Sequence, residues 1–376
     1  MTEVVRGAPG SGLTAPTGAP LSFHRALPGY APTPLRRADR LARRLGAGTV
    51  WVKDESARLG LPSFKVLGAS WATFRALDRH VGGLGEWETL DDLRARLARR
   101  GPLSLAAATD GNHGRAVARM AKLLGLRARI FVPEGTAPAR IEAIESEGAA
   151  CEVVAGTYDD AVARSAEEAG ERCLVISDTS WPGYVDVPTW VIEGYSTIFW
   201  EADDQLGGDV PDVVVVQMGV GALAAAAARH YRRPELERSP VMVGVEPSRA
   251  ACVLASARAG KIVTIPGPHD SIMAGLNCGT PSLIAWPDVR RGYDLFVAID
   301  DDSARAAMRV LAEEGIVAGE TGAAGAGALL ELAPARDGVL EIGASTTLLL
   351  LCTEGATDPG AYARIVGRAA GEVSAR

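Results

Sequence analysis

The chain has 376 residues and a formal net charge of -7 at pH 7, with 47% apolar and 23% charged residues, a composition typical of a globular protein with more than one core. The negative charge argues against a general nucleic-acid-binding protein, and no run reaches the roughly eighteen apolar residues that span a bilayer. Five cysteines without a CxxC pair indicate a reducing, cytoplasmic environment and no metal site of the zinc type.

The first 25 residues are predicted to be a flexible lead-in. They begin MTEVVRGAPGSGLTAPTGAP, which is rich in Gly, Pro and Thr. The segment lacks a basic region followed by an apolar stretch, so it does not resemble a signal peptide.

Short apolar runs then alternate with helical stretches, as in SLAAATD before GRAVARMAKLLGL and DVVVVQM before GALAAAAARHY. This alternation predicts an α/β fold of two lobes, each a mostly parallel twisted sheet flanked by helices. The loop-forming stretch WPGYVDVP marks a seam. We expect residues 103–185 to form a small domain and residues 26–102 and 186–376 a large one, with a ligand in the cleft between them.

A lysine stands at a predicted helix start in SFKVLGAS, residues 63–70. On its own, Lys65 is best interpreted as a surface lysine whose stem packs on apolar neighbours. The alternative is an amine held ready as a nucleophile, activated by partial desolvation or by a covalent partner.

A glycine loop follows an apolar strand and opens an alanine-rich helix; its residues are Gly219, Val220, Gly221, Ala222 and Leu223. Glycines let the backbone approach a ligand, and N–H groups at a helix start attract anions, most often phosphate. The loop lacks the Gly-Lys-Ser/Thr of nucleoside-triphosphate sites. Three interpretations stay open: a turn that binds nothing, a dinucleotide site using GVGALA and Glu246, and a site for another phosphate.

A second loop of this type narrows the choice; it runs Thr109, Asp110, Gly111, Asn112, His113, Gly114. It offers backbone N–H groups, an amide and a hydroxyl in one turn, which suits a carboxylate. A lysine at a helix start and two anion loops in separate lobes indicate a phosphorylated aldehyde cofactor and a small amino-acid substrate.

The order of these motifs resembles that in fold-type II pyridoxal-phosphate enzymes, and specifically the diaminopropionate ammonia-lyase family. The resemblance covers about residues 30 to 365 and rests on KDES, RLGLPSFK, TDGNHGRAVA, DTSWPGY, IMAGLNCGTPS and CTEGATDP. Leu59, where an aromatic residue is common, and Ala69, in place of a usual glycine, depart from the pattern and bear on substrate scope.

The resemblance implies roles for the motif residues toward pyridoxal 5'-phosphate, placed between a large cofactor-binding domain and a small substrate-binding domain. Lys65 would bind the cofactor covalently and then act as a base, and Asn112 would contact the cofactor's ring oxygen. The glycine loop would hold the phosphate. Thr353 would meet the ring nitrogen, and because a hydroxyl cannot lend a full proton, the ring would favour loss of a β-substituent over transamination. Thr109, Asp110, Gly111 and His113 would bind the substrate, although the general-base role that His113 invites is not favoured.

Two aspartates match family positions near the substrate. Elimination of an amine needs a base for the Cα proton and an acid for the leaving group, and Asp110 and Asp178 are candidates for both. The alternative for each is a helix or turn cap. An acid facing Lys65 from the opposite side of the substrate would allow D as well as L isomers.

These residues predict a lyase that converts 2,3-diaminopropionate to pyruvate and ammonia and, by resemblance, forms a homodimer. The alternatives are elimination or replacement on another β-substituted amino acid, as in serine and threonine dehydratases, and a cofactor-binding protein without turnover. Cys252 and Cys278 are expected to be buried thiols that lie close enough to bridge under oxidising conditions.

Overall fold

Two β-sheets organise the chain. The structure is a computed structural model, and it describes residues 2–10, 12–109, 111–333 and 338–375. The strands are β1 (Glu3–Arg6), β2 (Leu35–Arg37), β3 (Thr49–Asp54), β4 (Ser104–Ala108), β5 (Arg127–Pro133), β6 (Ala150–Val154), β7 (Cys173–Val175), β8 (Val213–Gln217), β9 (Val241–Pro247), β10 (Leu295–Ile299) and β11 (Thr347–Cys352).

The larger sheet has seven strands in the order β1-β10-β9-β8-β11-β3-β2. Its five inner strands are parallel, whereas the two edge strands pair antiparallel, β1 with β10 and β2 with β3. Every residue of β8 and β10 is buried. These strands therefore have helices on both faces, which explains their uninterrupted apolar sequence.

The smaller sheet has four parallel strands in the order β6-β5-β4-β7. All four lie between Ser104 and Val175, inside the segment 103–185. The α/β class and the two mostly parallel sheets are as predicted, while the exact domain limits stay a prediction.

Helices cover both sheets. They are α1 (Ala19–Arg25), α2 (Asp39–Leu45), α3 (Lys65–His80), α4 (Leu90–Ala98), α5 (Asn112–Leu124), α6 (Pro138–Glu145), α7 (Tyr158–Ala166), α8 (Asp186–Gln205), α9 (Ala222–Tyr231), α10 (Cys252–Ala259), α11 (Trp286–Gly292), α12 (Asp301–Glu313), α13 (Ala324–Leu332), α14 (Pro359–Val366) and α15 (Ala370–Ser374). Helix α3 packs against both α8 and α5, so it joins the helices of the two sheets. Gly68 and Gly194 allow the close α3–α8 approach, because a Cβ at Gly68 would lie 2.5 Å from the Tyr195 ring.

The N-terminal segment differs from the expected flexible lead-in. Residues Glu3–Arg6 pair with β10, and Ala19–Arg25 form α1, in which Phe23 and His24 are buried. His24 contacts the Thr197 hydroxyl at 2.7 Å and the Leu67 carbonyl at 2.9 Å. Strand pairing therefore holds the start of the segment to the large sheet, and the side chains of Phe23 and His24 hold α1 to α3 and α8. The Gly- and Pro-rich composition of the segment gives no indication of these contacts.

A buried charge network lies behind the turn that leads to α3. Glu201 accepts hydrogen bonds from Lys53 Nζ at 2.7 Å and from Arg58 Nη1 at 2.6 Å, and Arg58 also donates to Glu55. Lys53, Glu55 and Arg58 are fully buried and Glu201 is 2% exposed. Loss of any one partner would leave an uncompensated charge in the protein interior, which is strongly destabilising. The network therefore fixes the position of the turn relative to α8.

No helix in the described ranges combines the length and the apolar character needed to cross a membrane.

Candidate active site

The candidate site is a cleft between the two sheets, at the carboxyl ends of their parallel strands. Thr109 follows β4, Asp178 follows β7, Gly219 follows β8 and Thr353 follows β11. Ligands of open α/β sheets bind at this edge, where loops from several strands converge. The cleft is lined by residues from these loops and from the start of α3, among them Lys65, Thr109, Asp178, Gly219 and Thr353.

Lys65 is the first residue of α3, and the turn before it is fixed by the segment after β11. Phe64 N–H donates to the Thr353 carbonyl at 3.3 Å, and Gly355 N–H donates to the Pro62 carbonyl at 2.9 Å. The Lys65 ammonium lies 5.5 Å from the centre of the Phe64 ring. The backbone therefore presents this amine at the cleft, unlike the surface lysine of the simpler interpretation.

Asp178 is the charge partner of Lys65. Lys65 Nζ donates to Asp178 Oδ2 at 2.6 Å, and the Tyr158 hydroxyl donates to Asp178 Oδ1 at 3.0 Å. Burial alone would lower the pKa of Lys65 and raise that of Asp178, but the ion pair outweighs burial, raising the pKa of Lys65 and holding that of Asp178 well below its usual range. The pair is therefore fully ionised near neutral pH.

His113 is held by the small domain and faces the same cleft. Its Nε2 lies 2.7 Å from the Ile176 carbonyl, which can only accept, so Nε2 carries the proton. Burial lowers the pKa of His113, so the ring is neutral. Its Nδ1 has no hydrogen-bond partner among the described residues, and the expectation that His113 is not the general base stays a prediction.

The glycine loop opens α9 as predicted. Gly221 is the residue before the helix and has φ +98°, a conformation that favours glycine, and a Cβ at Gly219 would lie 3.1 Å from the Gly275 carbonyl oxygen. The first N–H groups of α9, at Ala222 and Leu223, have no partner within the helix. Val220 lines the cleft together with them, so the loop forms a cradle of backbone donors.

Glu246 is placed where the dinucleotide alternative cannot use it. The carboxylate is 1% exposed and accepts the N–H groups of Val253 at 2.8 Å and Leu254 at 2.7 Å. It therefore caps α10, while burial raises its pKa to about 8. A side chain engaged in this way does not reach a ribose, which removes the main support for a dinucleotide site.

Thr353 and Asn112 face the cleft from opposite domains. The Thr353 hydroxyl is buried and has no hydrogen-bond partner among the described residues, so it is suited to a ligand atom. Asn112 begins α5, and its Nδ2 donates to Glu354 Oε2 at 2.5 Å.

The second anion loop, residues 109–114 and here called the carboxylate loop, is described at every position except 110. Gly111 has φ +143°, and its N–H donates to the Thr109 hydroxyl at 2.8 Å. Both residues line the cleft, as expected for a substrate loop. Asp110, predicted to be catalytic, lies outside the described residues.

Several side chains at the site were not predicted from the sequence, among them Tyr158, Tyr195 and Glu354. Tyr158 begins α7 and lies in the stretch TYDD, whose Thr157 and Asp160 signal only a helix cap. Tyr195 lies in the middle of α8, and its ring centre is 6.0 Å from Lys65 Nζ. Glu354 directly follows Thr353 in the TEG motif, so of these three side chains it alone could have been predicted from a motif in the sequence.

The cleft, its lysine and its two anion loops define an enzyme of the pyridoxal-phosphate class. A family model described as pyridoxal-phosphate dependent enzyme matches residues 26–352, and the chain belongs to this family. Within it, the chain is 36% identical to diaminopropionate ammonia-lyase of Salmonella typhimurium, over 93% of this chain and 92% of that protein.

A solved structure supports the same relationship. Diaminopropionate ammonia-lyase from Escherichia coli, crystallised with an aminoacrylate-PLP azomethine reaction intermediate, matches with a TM-score of 0.88 and 33% identity, covering 97% of both chains. L-threonine dehydratase of Mycobacterium leprae is 28% identical over 92% of this chain and 73% of that protein. The family predicted from the motifs, the fold and the pyridoxal-phosphate cofactor are thus confirmed.

Proposed function

We propose that this chain is a pyridoxal-phosphate-dependent lyase that eliminates ammonia from 2,3-diaminopropionate and yields pyruvate and a second ammonia. The observation that carries the proposal is the ion pair of Lys65 with the buried Asp178, 2.6 Å apart, in a cleft lined by two loops suited to anions. The relatives described above are named for this reaction.

The residues present fit the cofactor. The Thr353 hydroxyl would meet the ring nitrogen, Asn112 the ring oxygen, and the N–H groups of the glycine loop the phosphate. When bound, pyridoxal phosphate supplies an aldehyde carbon that combines with amines and a ring that withdraws electrons from the adjacent carbon. Lys65 is the amine that the chain offers to that carbon.

The chain's own groups can move the protons that elimination requires. The low pKa of Asp178 depends on the positive charge of Lys65, because burial by itself raises the pKa of that carboxyl. When the Lys65 amine is neutral, Asp178 becomes a stronger base and can hold a proton. A leaving amine must be protonated as it departs, and a buried carboxyl beside the lysine can supply that proton.

Tyr158 keeps Asp178 in place during this exchange. Its hydroxyl donates to the oxygen of Asp178 that Lys65 does not contact, so the carboxylate stays oriented whichever group holds the proton. Asp110, which lies outside the described residues, is proposed as the second acid–base group from the family resemblance alone.

Pyruvate release across a panel of β-substituted amino acids tests the substrate. Both isomers of 2,3-diaminopropionate, serine, threonine and β-chloroalanine are compared by kcat/KM at equal enzyme concentration. We expect 2,3-diaminopropionate to give the highest value. A higher value for serine or threonine would transfer the assignment to a dehydratase, and no turnover with any of them would leave a cofactor-binding protein.

The homodimer, which rests on the family resemblance, and the cytoplasmic location, which rests on the cysteine content, are part of the proposal. Light scattering coupled to gel filtration is expected to give twice the chain mass of 39.2 kDa. A single-chain mass at micromolar concentration would contradict the dimer.

A further inference from the structure

Glu354 joins the two sides of the cleft. Its backbone belongs to the large domain, where it pairs with Ser63, two residues before Lys65, and its carbonyl accepts the N–H of Gly319 at 3.0 Å. A Cβ at Gly322 would lie 2.4 Å from the Glu354 carbonyl oxygen. The segment is therefore enclosed closely enough that this residue has one position.

The two carboxylate oxygens of Glu354 serve different partners. Oε1 accepts the N–H of Thr321 at 3.2 Å, and Oε2 accepts from Asn112 Nδ2 at 2.5 Å, across the cleft. Glu354 is 1% exposed, so its carboxylate is removed from water. Its hydrogen bonds, including the one to Asn112, are therefore what offset the cost of its burial.

The contact with Glu354 determines how the Asn112 amide is turned. Glu354 Oε2 accepts from Asn112 Nδ2, so the amide presents its nitrogen, and not its oxygen, to Glu354. One of the two N–H groups of Asn112 is then occupied by Glu354, and the second is fixed in direction by the first.

We propose that Glu354 is a positioning residue for the cofactor: it orients Asn112 so that the remaining N–H is a donor to the cofactor's ring oxygen. This inference rests on the proposed function, in which Asn112 meets that oxygen. It also gives the Glu of the TEG motif a role distinct from that of Thr353 beside it. Glu354 itself acts through Asn112 and is not assigned a proton-transfer step.

The test uses the holoenzyme and two measurements other than turnover. One is the pH midpoint at which the visible absorbance band of the bound cofactor changes, and the other is the dissociation constant for pyridoxal phosphate. In Glu354→Gln the new amide can donate to the Asn112 oxygen and turn that amide over. We expect a midpoint shift of at least about half a pH unit and about tenfold weaker cofactor binding.

A double-mutant comparison separates positioning from a general structural effect. If Glu354 acts through Asn112, the variant carrying both Glu354→Gln and Asn112→Ala should match Asn112→Ala alone within about twofold. Glu246→Gln is the matched control, because Glu246 is equally buried but caps α10, and it should leave both measurements at wild-type values. Should Glu354→Gln fail to fold, Glu354→Asp keeps the charge but withdraws the carboxylate by one methylene, and the same shift is expected.

Two outcomes overturn the inference: wild-type values for both measurements in the folded Glu354 variants, or effects of Glu354→Gln and Asn112→Ala that multiply in the double variant. A wild-type protein that shows no visible band with pyridoxal phosphate would instead contradict the proposed function. The two failures are thus distinguishable.

Discussion

Lys65 Nζ lies 2.6 Å from Asp178 Oδ2, and this contact joins the first residue of α3 to the residues after strand β7 of the small sheet. Neither group has its ordinary pKa, because each sets the charge of the other inside a partly closed cleft. The pair places a nucleophile and a proton carrier in one contact.

Lys65→Ala is expected to purify without a visible cofactor band and to lose pyruvate formation by several orders of magnitude, because no other amine replaces it. Absorbance spectra and a pyruvate assay measure both effects. Lys261→Ala, at an exposed position, is the control and should behave as wild type. Turnover close to wild type in Lys65→Ala would remove the central assignment.

Asp178→Asn should retain the cofactor band but lower kcat by about a hundredfold or more, since an amide of the same shape cannot exchange a proton. Tyr158→Phe leaves the carboxylate but removes the hydrogen bond at 3.0 Å, so its loss should be smaller, on the order of tenfold. Equal losses in the two variants would indicate that Asp178 acts only as a structural partner.

Asp110→Asn is expected to affect the D isomer of 2,3-diaminopropionate more than the L isomer, since this acid is proposed to face the side opposite Lys65. The ratio of kcat/KM for the two isomers measures the effect, with cofactor content checked by absorbance. An unchanged ratio would reassign Asp110 to the loop's structure.

Glu201→Gln should lower the free energy of unfolding by about 3–5 kcal/mol, because Lys53 and Arg58 lose their buried counter-charge. Glu313→Gln is the matched control; its partners Arg40 and Arg44 are half exposed, so its change should stay below about 1 kcal/mol. Urea unfolding followed by circular dichroism measures both. Similar losses in the two variants would contradict the importance of the network.

The same network gives wild-type stability a defined dependence on pH. Burial would raise the pKa of Glu201, but Arg58 and Lys53 hold it below its ordinary value of 4.5. The stabilisation is therefore complete above pH 4.5 and is lost as pH falls from there toward the lowered pKa of the folded state. Glu201→Gln should flatten the acid limb of the stability curve.

Cys252 and Cys278 are buried thiols in the structure, and Cys278 lines the cleft. We keep the prediction that they lie close enough to bridge after mild oxidation. Thiol titration of denatured protein should then show the loss of two of the five thiols, and a Cys252→Ser variant should show no such loss. Five thiols remaining in oxidised wild type would contradict the prediction.

Much of the fold could be predicted from the sequence because parallel strands buried on both faces read as short apolar runs. β8 and β11 are such runs, and they are followed by Gly219 and Thr353 of the cleft. By contrast, β1 and β2 are four and three residues long, and the partner of β1 is β10, near the other end of the chain. No local pattern distinguishes such strands from loops.

The site could be predicted in part for a related reason. Lys65, Asn112 and Gly219 lie at ends of regular elements, where the motif itself forces the backbone conformation. No local sequence pattern marks Tyr158 or Glu201 as important. Glu201 matters because it pairs with Lys53 and Arg58, more than 100 residues away in the chain. Tyr158 matters because it contacts Asp178, which in turn contacts the distant Lys65. Such hydrogen bonds form only when the tertiary fold brings these distant residues together, so no local pattern indicates them.

The two edge strands of the large sheet, β1 and β2, affect how readily the protein aggregates at high concentration. β10 is an apolar strand whose five residues are all buried, and β1 is what covers its outer side. Edge strands that are short and carry charge, such as β1 and the arginines of β2, resist pairing with a second molecule. Removing Glu3–Arg6 would expose the backbone of β10 as a template for intermolecular strand addition. We therefore expect the pairing of Glu3–Arg6 with β10 to reduce aggregation of the protein.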